Sequence, residues 1–180
     1  RQPPVSLQLG MPDQLWAGGR TLIGPLVLAC FNRGIDIKRN ARARQLIVED
    51  GRVMGLKVEH EGTDLFIKAN KGVLLATGGF EWNAEMNKRF IEGDIHPFTN
   101  PQNEGDGHIM GMEIGAAVAL MDHTVRLPTI RIPGEEIDGK PLYRLFLASC
   151  GKPGDIIVNQ NGKRCCNESF YIDMGRAFTA

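Results

Sequence analysis

Apolar and polar positions follow two different periods along the chain, and each period predicts its own elements. Residues 1–18 are irregular, with prolines at 3, 4 and 12. From Arg20 to Arg33 the apolar residues Leu22, Ile23, Leu26, Val27, Cys30 and Phe31 recur every three or four positions, which predicts a helix with one buried stripe. Pro25 falls in its first turns and Gly34 ends it. A short strand is expected at Ile35–Arg39. Gln45–Glu49 and Val53–Glu59 then read as a hairpin turning at Asp50-Gly51, a pair suited to positive backbone angles. A third strand, Asp64–Ala69, completes an antiparallel meander. Val73-Leu74-Leu75-Ala76 is different: a continuous apolar run is the pattern of a parallel strand buried on both faces, and it ends in Thr77-Gly78-Gly79-Phe80.

Farther along, a helix is expected over Glu85–Ile91 and another from Asp106, acting as its cap, to about Ala117. Residues 93–104 between them are rich in Pro, Asn and Gly. A composition shift near Leu127-Pro128 divides the chain into residues 1–127 and 128–180. Residues 128–154 read as loop with short strands, Ile156–Val158 as a strand, Asn159–Gly162 as a turn and Ser169–Phe178 as a helix. The helix, meander and buried strand form half of a nucleotide-binding α/β unit. The Gly-rich phosphate turn of its other half is not in this sequence. The nearest run, Gly105 to Gly111, has the wrong spacing for GxGxxG and follows a loop instead of a strand.

Composition narrows the function classes. With 180 residues, 42% apolar and 23% charged, the chain can bury a core, which excludes global disorder. Lys plus Arg and Asp plus Glu both number 21, so no net field draws nucleic acid or an anionic membrane. The apolar stretches are too short for a membrane span, and residues 1–20 carry no secretory pattern. Cys30, Cys150, Cys165 and Cys166 form no CxxC and read as reduced thiols, so a cytoplasmic location is expected. His96, His108 and His123 lack ligand spacing, so no metal is expected. Arg39, Arg42 and Arg44 read as a solvated basic rim. Glycine, at 22 residues, is well above its usual share of roughly 7% and clusters beside apolar runs, where backbone can approach backbone or a ligand.

The run Ala76-Thr77-Gly78-Gly79-Phe80-Glu81-Trp82-Asn83, followed by Gly105-Asp106-Gly107, carries a resemblance. So do Gly18-Gly19-Arg20-Thr21, Gly51 to Gly55, Gly115-Ala116-Ala117, and Ile157 through Gly162-Lys163-Arg164 to Asn167-Glu168. In this order they resemble the FAD-binding dehydrogenases of the fumarate reductase and succinate dehydrogenase flavoprotein superfamily, nearest to its 3-ketosteroid dehydrogenase-like branch. The resemblance implies an α/β fold: an incomplete Rossmann-like FAD-binding domain with an antiparallel meander over 1–127, then the start of an α+β substrate or cap domain over 128–180. It implies FAD as cofactor. Ala76, Thr77, Gly78 and Gly79 would pass close to the nucleotide half of the flavin, where a side chain would collide. Asn83 would fix that loop, the backbone of Ala43 would meet the adenine, and the amides of Gly105, Asp106 and Gly107 would stabilise negative charge at a helix start.

Two departures bear on substrate. Where fumarate reductases carry Thr-Glu and an arginine, this chain has Leu147-Ala148 and Ser-Phe-Tyr-Ile-Asp after Asn167-Glu168, so the cations that clamp a dicarboxylate are missing. The ketosteroid branch has a tyrosine near this point. Tyr171 is the catalytic candidate, one residue early against the usual spacing; its other reading is a core tyrosine. The implied activity is hydride transfer between flavin and an activated C–C bond of a small hydrophobic substrate, with 3-ketosteroids in view. The alternative is a truncated, non-catalytic domain that folds as a homodimer or by pairing with a missing N-terminal half. Without the pyrophosphate turn, weak or no flavin binding by this chain alone is expected.

Overall fold

The computed structural model describes residues 19–137, 139–146 and 150–177, so the irregular segment expected over residues 1–18 lies outside the described residues. The chain divides after Ala41 into two compact units. In the first, helix α1 (Gly19–Asn32) forms where the three-and-four spacing places it, but its apolar stripe is not buried: Leu22, Ile23, Leu26 and Phe31 are 54–65% exposed. Gly34, at φ 68°, ends it, and the Gly34 and Ile35 amides close back on Phe31 and Cys30. The strand expected at Ile35–Arg39 is not formed. Residues 35–38 run irregularly, held locally by the Lys38–Asp36 ion pair at 2.6 Å, because no neighbouring ladder among the described residues lies beside them.

The second unit opens with a three-stranded meander in the order β1 (Ala41–Glu49), β2 (Arg52–His60), β3 (Thr63–Lys68). Asp50 and Gly51, at φ 48° and 73°, make the first turn as the Asp-Gly pair foretells, and Glu61 and Gly62 repeat it at 51° and 77°. β2 and β3 pair antiparallel from Gly55↔Lys68 to His60↔Thr63. Leu46 and Val58 are the buried side chains of this sheet.

The run Val73–Ala76 is not a buried parallel strand. It is irregular in structure, Leu74 is 91% exposed, and among the described residues nothing hydrogen-bonds to the backbone from Val73 to Gly78. A doubly buried strand takes its burial from neighbours on both edges, and neither described sheet includes this segment. The fold is therefore mixed α/β with antiparallel sheets. Helix α2 (Ala84–Phe90) and helix α3 (Asp106–Glu113) follow. α3 stops four residues short of Ala117. Gly115 turns the chain at φ 87°, with its amide on Met112 and that of Ala116 on Gly111, the bonding pattern of a left-handed C-terminal cap.

Residues 128–154, expected as mostly loop, hold a hairpin of β4 (Thr129–Ile137) and β5 (Lys140–Leu145). Its register slips between Arg131 and Glu136, where Pro133 has no amide to give and Gly134 sits at φ 81°. The strand expected at Ile156–Val158 shrinks to one bridge, Val158 to Arg164, around the Asn159–Gly162 turn. Helix α4 (Tyr171–Ala177) buries Met174. Beside it Glu168 is only 5% exposed and accepts hydrogen bonds from the Ile157 amide at 2.8 Å and Arg164 Nη2 at 2.6 Å. The Arg164 guanidinium, helped by that amide, holds the Glu168 carboxyl at about 2.

Candidate flavin-facing site

The turn after Ala76 is braced from one side. Gly79 O accepts from Gly105 N at 3.1 Å, and the Thr77 hydroxyl lies so close to Gly107 that no Cβ would fit there. Phe80 packs edge-on against Phe90 at 6.0 Å and against His108 at 5.5 Å between ring centres. A Cβ on Gly78 would meet Asn103 Oδ1 at 2.7 Å. Ala76, Thr77 and Gly78 remain exposed, with backbone groups free to meet a ligand.

The loop opposite is tied by side chains. Asn83 does two things: its Oδ1 accepts from Met86 N at 3.0 Å, capping α2, and its Nδ2 donates to Glu104 O at 2.9 Å. Asn103 Nδ2 donates to Glu81 Oε1 at 2.8 Å, and the Thr99 hydroxyl donates to the same oxygen. Burial pushes the Glu81 carboxyl up, but these bonds outweigh it and hold the group below its ordinary value. Trp82 donates Nε1 to Thr99 O at 3.2 Å and lies under Lys140 Nζ, 5.3 Å from the ring centre.

Asp106 does not cap α3. The cap position is Gly105 in the left-handed region with no side-chain bond, and Asp106 is the first helical residue. Its carboxylate takes a two-point grip from Arg42, Nε at 2.7 Å and Nη2 at 2.8 Å, a partner 64 positions away. That hydrogen-bonded pair holds Asp106 below its ordinary value and Arg42 above. The basic rim is accordingly not free: Arg42 is paired here, and Arg44 Nη2 meets Glu59 at 2.6 Å.

The structure thus brings together Ala76, Thr77, Gly78, Gly79, Asn83, Gly105, Asp106 and Gly107. Ala43 is half-buried on β1, on the opposite face of the strand from Arg42 and hence from Asp106. The Gly105 amide is already given to Gly79, so it is not available to an anion. Tyr171 opens α4; its side chain lies outside the described residues. Glu104, Lys140, Glu81 and Asn103 complete the frame; Glu81 lies inside the Ala76–Asn83 run, Asn103 and Glu104 in the Pro-, Asn- and Gly-rich loop over 93–104, and Lys140 carried no motif. Among the described residues no three His, Cys, Asp or Glu side chains are grouped to hold a metal, and no helix is long and apolar enough to cross a membrane.

A family model described as FAD binding domain matches residues 5–180. The chain belongs to this family. It is 37% identical over 164 residues to the 3-oxosteroid 1-dehydrogenase of Mycobacterium tuberculosis, covering 86% of this chain and 28% of that one. It is 34% identical over 170 residues to the 4-oxocyclohexanecarboxylate 2-dehydrogenase of Sinomonas cyclohexanicum, covering 90% and 29%. A solved 3-ketosteroid delta1-dehydrogenase from Sterolibacterium denitrificans, in complex with 1,4-androstadiene-3,17-dione, superposes with a TM-score of 0.74 at 32% identity, over 86% of this chain and 28% of that chain. The chain therefore spans 28–29% of the length of these relatives. Its side-chain-poor turn, exposed and open along the backbone from Ala76 to Gly78 and tied to the start of α3 through Gly79, fits the approach of the family's cofactor.

Proposed function

We propose that this chain is part of an FAD-dependent oxidoreductase that moves hydride between flavin and the CH–CH unit beside a ring ketone of a hydrophobic, 3-ketosteroid-like substrate. The open turn Ala76–Gly79, braced on α3 in a chain that matches the FAD-binding family over residues 5–180, carries the reading. FAD supplies the hydride acceptor or donor when bound. Ala76, Thr77, Gly78 and Gly79 would line the nucleotide half of the cofactor, with the backbone of Ala43 toward its adenine. Asn83 would keep the loop in register, and Gly105, Asp106 and Gly107 would back the turn. Residues 1–127 would form part of an incomplete Rossmann-like FAD-binding domain, and residues 128–180 would begin the substrate domain. Tyr171 would act there on the acidic carbon next to the ketone. Names of relatives that act on oxo-steroid and oxo-cyclohexane rings favour the ring ketone over a dicarboxylate.

Titration of FAD fluorescence with the purified chain tests this reading. The expected result is weak but saturable quenching, easily reversed on desalting. Ala76→Glu, at an exposed position of the turn outside the left-handed region, should abolish it while leaving the circular dichroism spectrum and melting temperature in place. Equal quenching by both proteins overturns the turn as the cofactor contact. No quenching by the folded chain overturns it as a flavin-binding unit. In flavin-loaded protein containing the whole sequence, Tyr171→Phe should slow anaerobic bleaching of the flavin bands by a 3-oxosteroid about a hundredfold.

A further inference from the structure

We propose that Glu104 is a positioning residue that clasps the β4–β5 hairpin to the cofactor-facing turn, so that the placement of one sets the geometry of the other. The functional consequence rests on the flavin reading above; the clasp itself does not. The backbone around Glu104 belongs to the turn: its carbonyl accepts from Asn83, and the next amide, Gly105, donates to Gly79 at 3.1 Å. Its carboxylate divides between two partners on different elements. Oε1 accepts from Lys140 Nζ of β5 at 2.9 Å, and Oε2 accepts from Arg42 Nη2 of β1 at 2.8 Å.

Each partner is held again from its other side. Arg42 also donates Nε and Nη2 to Asp106 at the first turn of α3, and Lys140 rests over the Trp82 ring. Two cations and two carboxylates thus form a neutral chain running from β5 through the loop to β1 and α3. The remaining ion pairs among the described residues join neighbours within one sheet or one loop: Arg44–Glu59 and Lys57–Asp64 in the meander, Arg144–Glu135 in the hairpin, Arg164–Glu168, Asp36–Lys38 and Asp122–His123 locally. Glu104 alone among them carries an ion pair from the hairpin to the body that holds the turn. Lone exposed pairs add little to overall stability, so the clasp acts mainly through geometry. Lys140 and Arg42 together hold the Glu104 carboxyl below its ordinary value, so the clasp is charged at neutral pH.

Amide hydrogen exchange on the purified chain, without flavin, tests the clasp. Lys140→Met should raise exchange about fivefold across residues 129–145 and also at the Gly105 amide, which Lys140 does not touch. Glu104→Gln should do the same, and 0.5 M salt should reproduce it in the parent protein. Glu135→Gln, which cuts an ion pair inside the hairpin, should speed exchange in the hairpin and leave Gly105 unchanged. Unchanged Gly105 exchange in Lys140→Met, with the hairpin loosened or not, overturns the proposal. FAD quenching by the same variants is read separately, so a failure of flavin binding does not obscure the result.

Discussion

Gly105 is the residue on which the site turns. It sits at φ 83°, in the left-handed region, with its amide on Gly79 O and its Cα wedged between Phe80 and Met86. A Cβ there would stand 2.6 Å from Met86 Sδ and 2.8 Å from Phe80 Cβ. The thioether can swing away, but the Phe80 Cβ is fixed to the backbone it must hold. Gly105→Ala should therefore cost about 2–4 kcal/mol, adding left-handed strain to overpacking. The midpoint of a denaturant titration checks this. Gly111→Ala is the companion, since an added Cβ there meets only Ala116 Cβ at 3.6 Å; it should cost nothing measurable or stabilise slightly. Equal losses in the two variants would mean that helix residues generally, and not the packed left-handed corner, set the effect.

At the scale of elements, α2 shows how one side chain joins helix to loop. Asn83→Ala removes both the cap to Met86 N and the donation to Glu104 O, and should destabilise by about 1–2 kcal/mol. Asn83→Asp keeps a cap acceptor but no donor for Glu104, and should recover part of that loss. Thermal melts of the three proteins check the order. What could be read from sequence here follows locality. Asp50-Gly51 specifies its own turn, so the meander was visible, and Asn83 precedes a helix it caps. The Val73–Ala76 run was misjudged because its burial belongs to neighbours, not to its own pattern. Asp106 was misjudged for the same reason: a cap is local, whereas the guanidinium that claims its carboxylate comes from 64 positions earlier in the chain. Glu104 was invisible because a hub has no spacing of its own, and the hairpin that presents Lys140 falls in a stretch that reads as mostly loop.

Across the whole unit from Arg42 onward, the carboxyl groups that shift do so in one direction. Glu81, Glu104, Asp106 and Glu168 are all held below their ordinary values in the folded state. A carboxyl with a depressed folded pKa binds its proton less tightly when folded, so acid favours the unfolded chain. The stability these groups contribute is complete above the unfolded carboxylate range and is lost as pH falls through their folded values. For Glu168 that window runs from 4.5 down to about 2. The melting temperature should therefore hold between pH 7 and 5 and fall steeply below pH 4.5. Glu168→Gln separates the buried group from the more exposed ones. It leaves the neighbouring Arg164 without its counter-charge, so it should melt lower than the parent at pH 7, fall less on acidification and converge with the parent near pH 2. Salt sharpens the distinction, because it screens the half-exposed cluster around Glu104 far more than a side chain 5% exposed. At 0.5 M salt the gap between parent and Glu168→Gln at pH 7 should persist. A gap that closes with salt instead would mean that the Glu168 contact behaves as a surface ion pair and that its amide bond to Ile157 adds little.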